Sequence, residues 1–442
     1  MADLLKPTAA YDDDAIKTLS PREHLRLRPG MYVGTIGDGS LPDEALYVLV
    51  KEVIDNSIDE FIMGVGKRIE VEVRDNVVSV RDYGRGIPLK SLAAAVSEMN
   101  TGGKYGGEAF KKTVGLNGVG VKAVNYLSTE FIVRSVRDGE ARKVTFSQGI
   151  MLSDERESGV KEKNGTFVSF IPDPEIFPNY QFNIDYIEQM VHNYAYLNVG
   201  LTLNFNGVSY SSKNGLLDLV NDSMENQTML YPPIHLSSKN IEIAMTHSTG
   251  YGETYYTFAN SQNTWQGGTH QAAFREMVVK VLKDFYRKDY DPSDIRTSIV
   301  AAIAIKVEDP QFENQPKTKF GSKEIAEGVT IRQFVGEFLS TELDNYLHKN
   351  TDVAQAIQRK IIENEKERKE ISGIQKKTKE RNKRTNVYNR KLRDCKLHYN
   401  DKLSAAKKEL AEQTSIFITE GDSASGTITK ARNAETQAVF SL

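Results

Sequence analysis

The stretch that most restricts this chain is residues 51–64, KEVIDNSIDEFIMG. Laid on a helix at 100° per residue, Glu52, Asp55, Asn56, Asp59 and Glu60 fall within one arc of about 140°, with Ile54, Ile58 and Phe61 opposite, where they would pack inward. An ordinary amphipathic helix turns such a polar face to water. Here four carboxylates crowd the face with no Lys or Arg at i+4 to offset them, which costs stability unless something cationic arrives. The amide of Asn56 sits among them. Acid plus amide suits a hydrated magnesium ion, which takes few protein ligands and fills its octahedron with water and substrate phosphate. Glu52, one turn before Asn56, is placed to polarise a water. The stretch reads as a catalytic helix and the rest of the chain as its support.

A chain of 442 residues predicts two or three domains, and 39 % hydrophobic residues suffice for their cores. The net charge of −3 favours no partner, but its distribution does: residues 376–396 carry ten Lys or Arg against two acids. The connector around it, residues 371–413, is most simply a solvated linker, yet Tyr388, His398 and Tyr399 interleave it and point towards DNA contact. The single cysteine, Cys395, excludes an internal disulfide and fits a reducing compartment. The longest apolar run, residues 299–305, is too short to span a bilayer, and the first twenty residues hold no continuous apolar stretch. A cytoplasmic protein with no membrane partner is expected.

Taken in order, residues 1–20 are polar with isolated Tyr11, Ile16 and Leu19, a frayed terminus or an arm that docks elsewhere. Ser20, Pro21 and Glu23 supply an N-cap, a first-turn proline and a capping-box acid, so a helix starts there. The main helix is expected from about Pro42 to Gly64. Residues 69–74 alternate, turn at Asp75-Asn76 and return through Val78 and Val80, predicting a hairpin that delivers Asp82-Tyr83-Gly84-Arg85-Gly86-Ile87-Pro88 at a strand end. Residues 101–122 hold seven glycines, and G-x-N-G-x-G leads into a helix over 121–127. That arrangement predicts a phosphate cradle, because backbone N–H groups at a helix start favour anionic oxygen. It is neither a Walker A loop nor a Rossmann fingerprint. Strands are expected over 131–136, 142–146 and 166–171, giving a sheet with helices on one face. Past a break at Tyr231-Pro232-Pro233 come strands over 241–248 and 253–259, a helix over 271–286, the apolar strand 297–307 and a two-lysine loop over 309–321. A long helical pattern follows from about 322 to 370, suited to a lever. His270, with no Cys or second His nearby, is not expected to hold a metal. Residues 415–419 read as a buried strand ending in the acid Glu420, the first piece of a further α/β domain that this chain stops short of closing.

The motifs E-x-x-D-N-x-x-D-E, D-x-G-x-G-I-P, G-G-K-Y with G-L-N-G-V-G, and N-G-T-F together resemble the Bergerat-type ATP site shared by gyrase, ATP-dependent heat-shock chaperones and histidine kinases. R-L-R-P-G-M-Y-V-G, Q-G-G-T-H, the Q-x-K of 315–317 and E-G-D-S-A-S-G narrow the resemblance to B subunits of bacterial type IIA topoisomerases. It implies an α+β chain: a dimerisation arm over 1–20, a GHKL (Bergerat) α/β sandwich over 21–231, a ribosomal-S5-domain-2-like transducer with a long helix and basic connector over 232–413, and the start of a Toprim domain over 414–442.

The resemblance assigns roles residue by residue. Glu52 would be the general base and Asn56 would hold ATP-bound magnesium. Asp82 would accept the adenine amino group beside Thr166, in a pocket including Asp59, Glu60, Arg85, Gly86, Ile87 and Pro88. Gly102, Gly103, Lys104 and Tyr105, with Gly115, Leu116, Asn117, Gly118, Val119, Gly120 and Val121, would form a lid over the phosphates. Tyr11 and Ile16 would reach into a partner protomer, in place of the frayed terminus. Gln315 and Lys317 would enter from the transducer, the lysine meeting the γ-phosphate. Glu420 would open the Toprim magnesium site. The implied partners are a second copy of the chain, the topoisomerase A subunit in a heterotetramer, and double-stranded DNA. Three features depart from the pattern: Pro316 replaces the usual threonine, the connector is longer and more basic, and the acidic Asp-x-Asp pair of the Toprim site is absent, so the cleavage site is incomplete in this chain. The tail R-N-A-E-T-Q-A-V-F-S-L resembles the B subunits of topoisomerase IV more than those of gyrase. Gyrase, or an ATP-dependent DNA clamp without cleavage activity, is the alternative.

Overall fold

The computed structural model describes Ile16 and residues 18–102, 118–314, 316–385, 391–399 and 404–442. Two compact units divide the chain, Met1–Asn364 and Glu365–Leu442.

The first unit opens with α1 (Pro21–Leu27), whose capping box forms as expected: Ser20 Oγ accepts from the Glu23 amide and Glu23 Oε2 from the Ser20 amide. A short α2 (Gly30–Val33) leads to α3 (Ala45–Ile62). This helix starts three residues after Pro42, because Glu44 is its N-cap and turns its carboxylate back to the Gly39 amide at 2.6 Å. Leu46, Leu49, Val50, Ile54 and Ile58 are fully buried, as the periodicity demands. The polar arc is only partly a solvent face: Asn56 is exposed, but Asp55 and Asp59 are only 0 % and 3 % exposed. Nor is it wholly unpaired. Lys51, four residues before Asp55, brings Nζ to 3.5 Å from Oδ2, a partner that a search at i+4 alone passes over.

Strands β1 (Arg68–Arg74) and β2 (Val77–Asp82) make the predicted hairpin, with Asp75 and Asn76 at φ 47° and 66° as a tight turn requires. They join β3 (Ser128–Arg137), β4 (Glu140–Ser147), β5 (Ile150–Ser158), β6 (Gly165–Pro172), β7 (Thr202–Phe205) and β8 (Val208–Tyr210) in one sheet of order β5-β4-β3-β6-β2-β1-β7-β8. Only β1 and β7 run parallel. Strand β5 was not legible, since nearly all its residues are exposed and no alternation marks it. Helices α4 (Leu92–Ser97), α5 (Gly120–Tyr126) and α6 (Ile184–Leu197) complete this part, with α3 packing on β1, β2 and β6 and α5 on β3, β4 and β6, and α7 (Leu216–Ser223) follows, packed on the second sheet. Phe131, Phe146 and Phe170 lie fully buried in its core.

A second sheet follows, built from β9 (Ile234–Ser237), β10 (Ile241–His247), β11 (Thr254–Ala259), β12 (Gln262–Asn263) and β13 (Ile299–Ile305) in the order β12-β11-β13-β10-β9. Against it lie α8 (Thr269–Tyr286), α9 (Pro292–Arg296) and, after the hairpin β14 (Glu324–Ala326) and β15 (Val329–Thr330), α10 (Ile331–Lys349). Gly336 of α10 lets the two long helices approach, as a Cβ there would stand 2.8 Å from Met277 Cε. The expected unbroken lever is interrupted at Asn350, whose backbone and side-chain nitrogens both cap the Tyr346 carbonyl before α11 (Thr351–Thr385) begins.

In the second unit, β16 (Leu392–Arg393), β17 (Ser415–Thr419) and β18 (Gln437–Ser441) form a sheet of order β16-β18-β17, with α12 (Ala405–Ala411) and α13 (Asp422–Ala431). The expected buried strand is present as β17, but Ile416, Phe417 and Ile418 are 54 %, 39 % and 64 % exposed. Three strands and two short helices among the described residues do not cover it. No helix among the described residues is long and apolar enough to cross a membrane.

Candidate active site

Above α3 the first unit encloses a cavity of about 570 Å³. The sequence-derived candidates Glu52, Asn56, Asp59, Glu60, Asp82, Arg85, Gly86, Ile87, Pro88, Gly102, Gly118, Val119, Gly120, Val121 and Thr166 line it together, and Lys317 reaches it from beyond the second sheet. Residues more than 250 positions apart thus share one wall. Ile16 is 67 % exposed and lies outside it. Glu420, just past β17, is exposed in the second unit. Tyr11, Gly103, Lys104, Tyr105, Gly115, Leu116, Asn117 and Gln315 fall outside the described residues.

One end of the cavity is organised by Asp82. Its Oδ1 accepts the Gly84 amide at 2.8 Å and the Thr166 amide at 3.2 Å. Burial pushes its pKa up to about 6 against the pull of those two N–H groups. The N-G-T-F glycine is required here: Gly165 has φ +140°, and a Cβ on it would stand 2.2 Å from the Asp82 carbonyl oxygen. At the rim, Glu60 takes the Arg85 backbone amide at 2.9 Å and grips its guanidinium at 3.0 and 2.8 Å, a two-point pair that holds the glycine-rich turn to α3.

At the other end, Glu52 faces the N-terminus of α5. A Cβ on Gly120 would fall 1.7 Å from Glu52 Oε2, so the last glycine of G-L-N-G-V-G makes room for that carboxylate. Asn56 donates Nδ2 to the Glu52 carbonyl at 2.9 Å, which fixes the amide on the exposed side of the helix with Oδ1 as its acceptor. Lys122, 2 % exposed, sends Nζ to the Thr101 carbonyl at 2.5 Å and ties α5 to the start of the glycine-rich stretch. Sequence reasoning missed it, although a lone lysine in the run V-K-A-V was the available signal. Arg137, which lines the cavity and donates Nη1 to the Gly86 carbonyl at 3.3 Å, was also missed. Nothing in the sequence separates it from other basic strand residues.

The loop that carries Lys317 is held by the Q-G-G-T-H segment. Gln266 N donates to Thr318 O at 3.1 Å, Phe320 N to Gly267 O at 3.0 Å, and Thr269 N to Phe320 O at 3.2 Å. A Cβ on Gly268 would sit 2.2 Å from the Phe320 oxygen. Asn314 accepts the Thr318 amide at 2.9 Å and closes the turn, leaving Lys317 at φ 60° and 7 % exposed. Pro316 packs over Gly34, the last residue of R-L-R-P-G-M-Y-V-G, where a Cβ would come within 2.6 Å of its Cγ. Two motifs far apart in sequence therefore meet at this loop. His270 is fully buried, edge-on to Phe320 at 5.1 Å and 3.2 Å from Thr264 Oγ1, and burial pulls its pKa down to about 3.

A buried acceptor at one end, a carboxylate with an adjacent amide and a helix N-terminus at the other, and a lysine over the top can accommodate an elongated, polyanionic ligand. Comparison with known proteins points the same way. Residues 42–175 match the family of histidine kinase-, DNA gyrase B-, and HSP90-like ATPases, and residues 206–378 match that of DNA gyrase B. The B subunit of DNA topoisomerase 4 from Borreliella burgdorferi is 46 % identical, across 98 % of this chain and 71 % of that protein. The B subunit of DNA gyrase from Clostridium acetobutylicum is 32 % identical, across 98 % and 69 %. The crystal structure of the 43K ATPase domain of Thermus thermophilus gyrase B, in complex with an aminocoumarin, superposes with a TM-score of 0.63 at 25 % identity, over 80 % of this chain and 97 % of that one. The ATPase region of Saccharomyces cerevisiae topoisomerase II shares the fold, with a TM-score of 0.62 at 20 % identity over 77 % and 99 %. The chain belongs to the B-subunit family of type IIA DNA topoisomerases, whose ATPase part has the GHKL fold.

Proposed function

We propose that this chain binds ATP in the cavity above α3 and hydrolyses it to drive closure of a DNA-capturing gate, within a topoisomerase IV. The observation that carries this reading is the placing of Lys317 on the same cavity as Glu52, Asn56 and Asp82. The ionised Asp82 accepts the adenine amino group, with Thr166 beside it and Glu60–Arg85 closing the rim. Glu52 takes a proton from the attacking water. Lys317 stabilises charge on the γ-phosphate and links its presence to the second sheet. Catalysis is then positioning plus electrostatics, as in other phosphoryl transfers.

The donor set beside the phosphate end, a carboxylate and an exposed amide oxygen one turn apart, fits magnesium. Asn56 would hold the ion, and its chemistry there is to neutralise phosphate charge. We read residues 21–231 as the ATPase domain, 232–413 as the transducer with its lever and basic connector, and 414–442 as the start of a Toprim domain in which Glu420 is a magnesium ligand. Residues 1–20, with Tyr11 and Ile16, serve as the arm exchanged between two copies. The partners are a second copy, the A subunit in a heterotetramer, and duplex DNA, in the cytoplasm. Identity of 46 % to a topoisomerase IV chain, compared with 32 % to a gyrase chain, supports decatenation and relaxation as the activity.

ATP turnover should rise more steeply than linearly with protein concentration and vanish in Glu52→Ala. A linear rise down to the lowest concentrations would mean that each copy works alone. Lys317→Ala should lower kcat by about a hundredfold, the scale of one lost transition-state charge contact, while nucleotide affinity changes less than about threefold. Steady-state kinetics beside equilibrium binding separates the two, and unchanged turnover would remove its assigned role. Because burial raises the Asp82 pKa to about 6 and the carboxylate is a stronger acceptor than the acid, nucleotide affinity should fall as pH drops through that value. Between pH 7 and pH 5 the loss should reach up to about tenfold beyond that seen in Asp82→Asn. Parallel profiles for the two proteins would contradict the adenine assignment.

A further inference from the structure

Asp55 is the one carboxylate of the α3 face that does not line the cavity, and it is fully buried. It lies directly before Asn56 and one turn after Glu52. Its Oδ1 accepts the Tyr194 hydroxyl from α6, and its Oδ2 faces Lys51 Nζ at 3.5 Å. A third donor comes from the second sheet: Gln262 Nε2 on β12 donates to Oδ2 at 3.1 Å, across 207 positions of sequence.

Gln262 is 1 % exposed and sits on a two-residue edge strand, paired only with the end of β11. Its own Oε1 is buried without a hydrogen-bond partner among the described residues. The carboxylate fixes which way this amide points, since the flipped orientation would set Oε1 against a negative oxygen. A buried glutamine that leaves its carbonyl unsatisfied is costly for packing alone, so the contact with Asp55 is what specifies it. Lys51 brings the network back to the cavity. Burial lowers its pKa, Asp55 opposes that, and the positive charge of Lys317, which lines the cavity, adds to the lowering.

We propose that Gln262 is a positioning residue for ATP hydrolysis: by holding Asp55 from the second sheet, it makes the placement of Glu52 and Asn56 on α3 depend on where that sheet stands. The inference rests on the catalytic reading of Glu52 given above. A movement of the second sheet that draws Gln262 away leaves Asp55 with two partners and lets α3 settle differently beneath the phosphates. Nucleotide binding at the Asp82 end, which Gln262 does not touch, is not governed by it.

The test is steady-state ATP turnover, with equilibrium nucleotide binding and thermal unfolding, of the full chain carrying Gln262→Met, which keeps length and volume but removes the donor. The expected result is kcat lowered about tenfold, with KM and affinity within about twofold and the unfolding temperature within about 2 °C. In a Lys317→Ala background the same substitution should cost clearly less than tenfold, because both residues transmit the position of the second sheet. Wild-type kcat in Gln262→Met would overturn the proposal. So would a loss of kcat that tracks a lowered unfolding temperature, or full additivity with Lys317→Ala. Glu52→Ala in the same assay keeps the two readings apart: retained turnover there would defeat the catalytic assignment, whatever Gln262 does.

Discussion

The structure depends on the burial of carboxylates along one face of α3. Taking an ionised carboxylate out of water costs several kcal/mol unless hydrogen bonds and an opposite charge replace the solvent. For Asp55 the replacements come from three elements: a lysine on its own helix, a tyrosine on α6 and a glutamine on β12. Removing Lys51, the cation among them, would leave the buried charge uncompensated, typically at a cost of about 3–5 kcal/mol, whereas Tyr194 and Gln262 are neutral donors that fix where the carboxylate sits between α6 and the second sheet. Helix α3, α6 and the second sheet are therefore coupled through one buried charge, and the remaining carboxylates of the face line the cavity.

The same logic separates the two ends of that cavity. Asp82 is buried and satisfied at one oxygen by backbone N–H groups, which suits an acceptor that must discriminate a neutral base edge. Glu52 is only half-buried and crowded by a glycine at a helix N-terminus, which suits a group that exchanges a proton near phosphate. The glycines at 165 and 120 are what permit each arrangement, because a side chain at either would occupy the space of the carboxyl group or its backbone.

Much of this was legible in the sequence, for physical reasons. The α3 stripe, the capping box at Ser20 and the hairpin turn at Asp75-Asn76 are local rules, and local rules survive folding. Glu52, Asn56 and the glycine-rich stretch before α5 were legible because acids, amides and glycines at fixed spacing are rarely needed for packing, whereas the roles of Asp82, Thr166 and Lys317 were legible only through the resemblance of their motifs. The misses are of another kind. Strand β5 carries no alternation because nearly all of it faces solvent. Asn350 divides the lever through a cap that helical periodicity does not register. The exposed Ile416 and Ile418 read as a core because composition cannot say what lies over a strand. Gln262 and Lys122 depend on partners 207 and 21 positions away, so the contact that gives each its role exists only after the fold has formed.

The central claim is that one nucleotide is clasped between α3 and the Lys317 loop, with its base at Asp82. A crystal structure of the chain with magnesium and a non-hydrolysable ATP analogue tests it most directly. The account predicts the adenine amino group at Asp82, Lys317 Nζ within hydrogen-bond reach of the terminal phosphate, and Glu52 facing the in-line position behind that phosphate. A nucleotide seated with its base away from Asp82, or a terminal phosphate contacted by α5 with Lys317 turned out of the cavity, would contradict it.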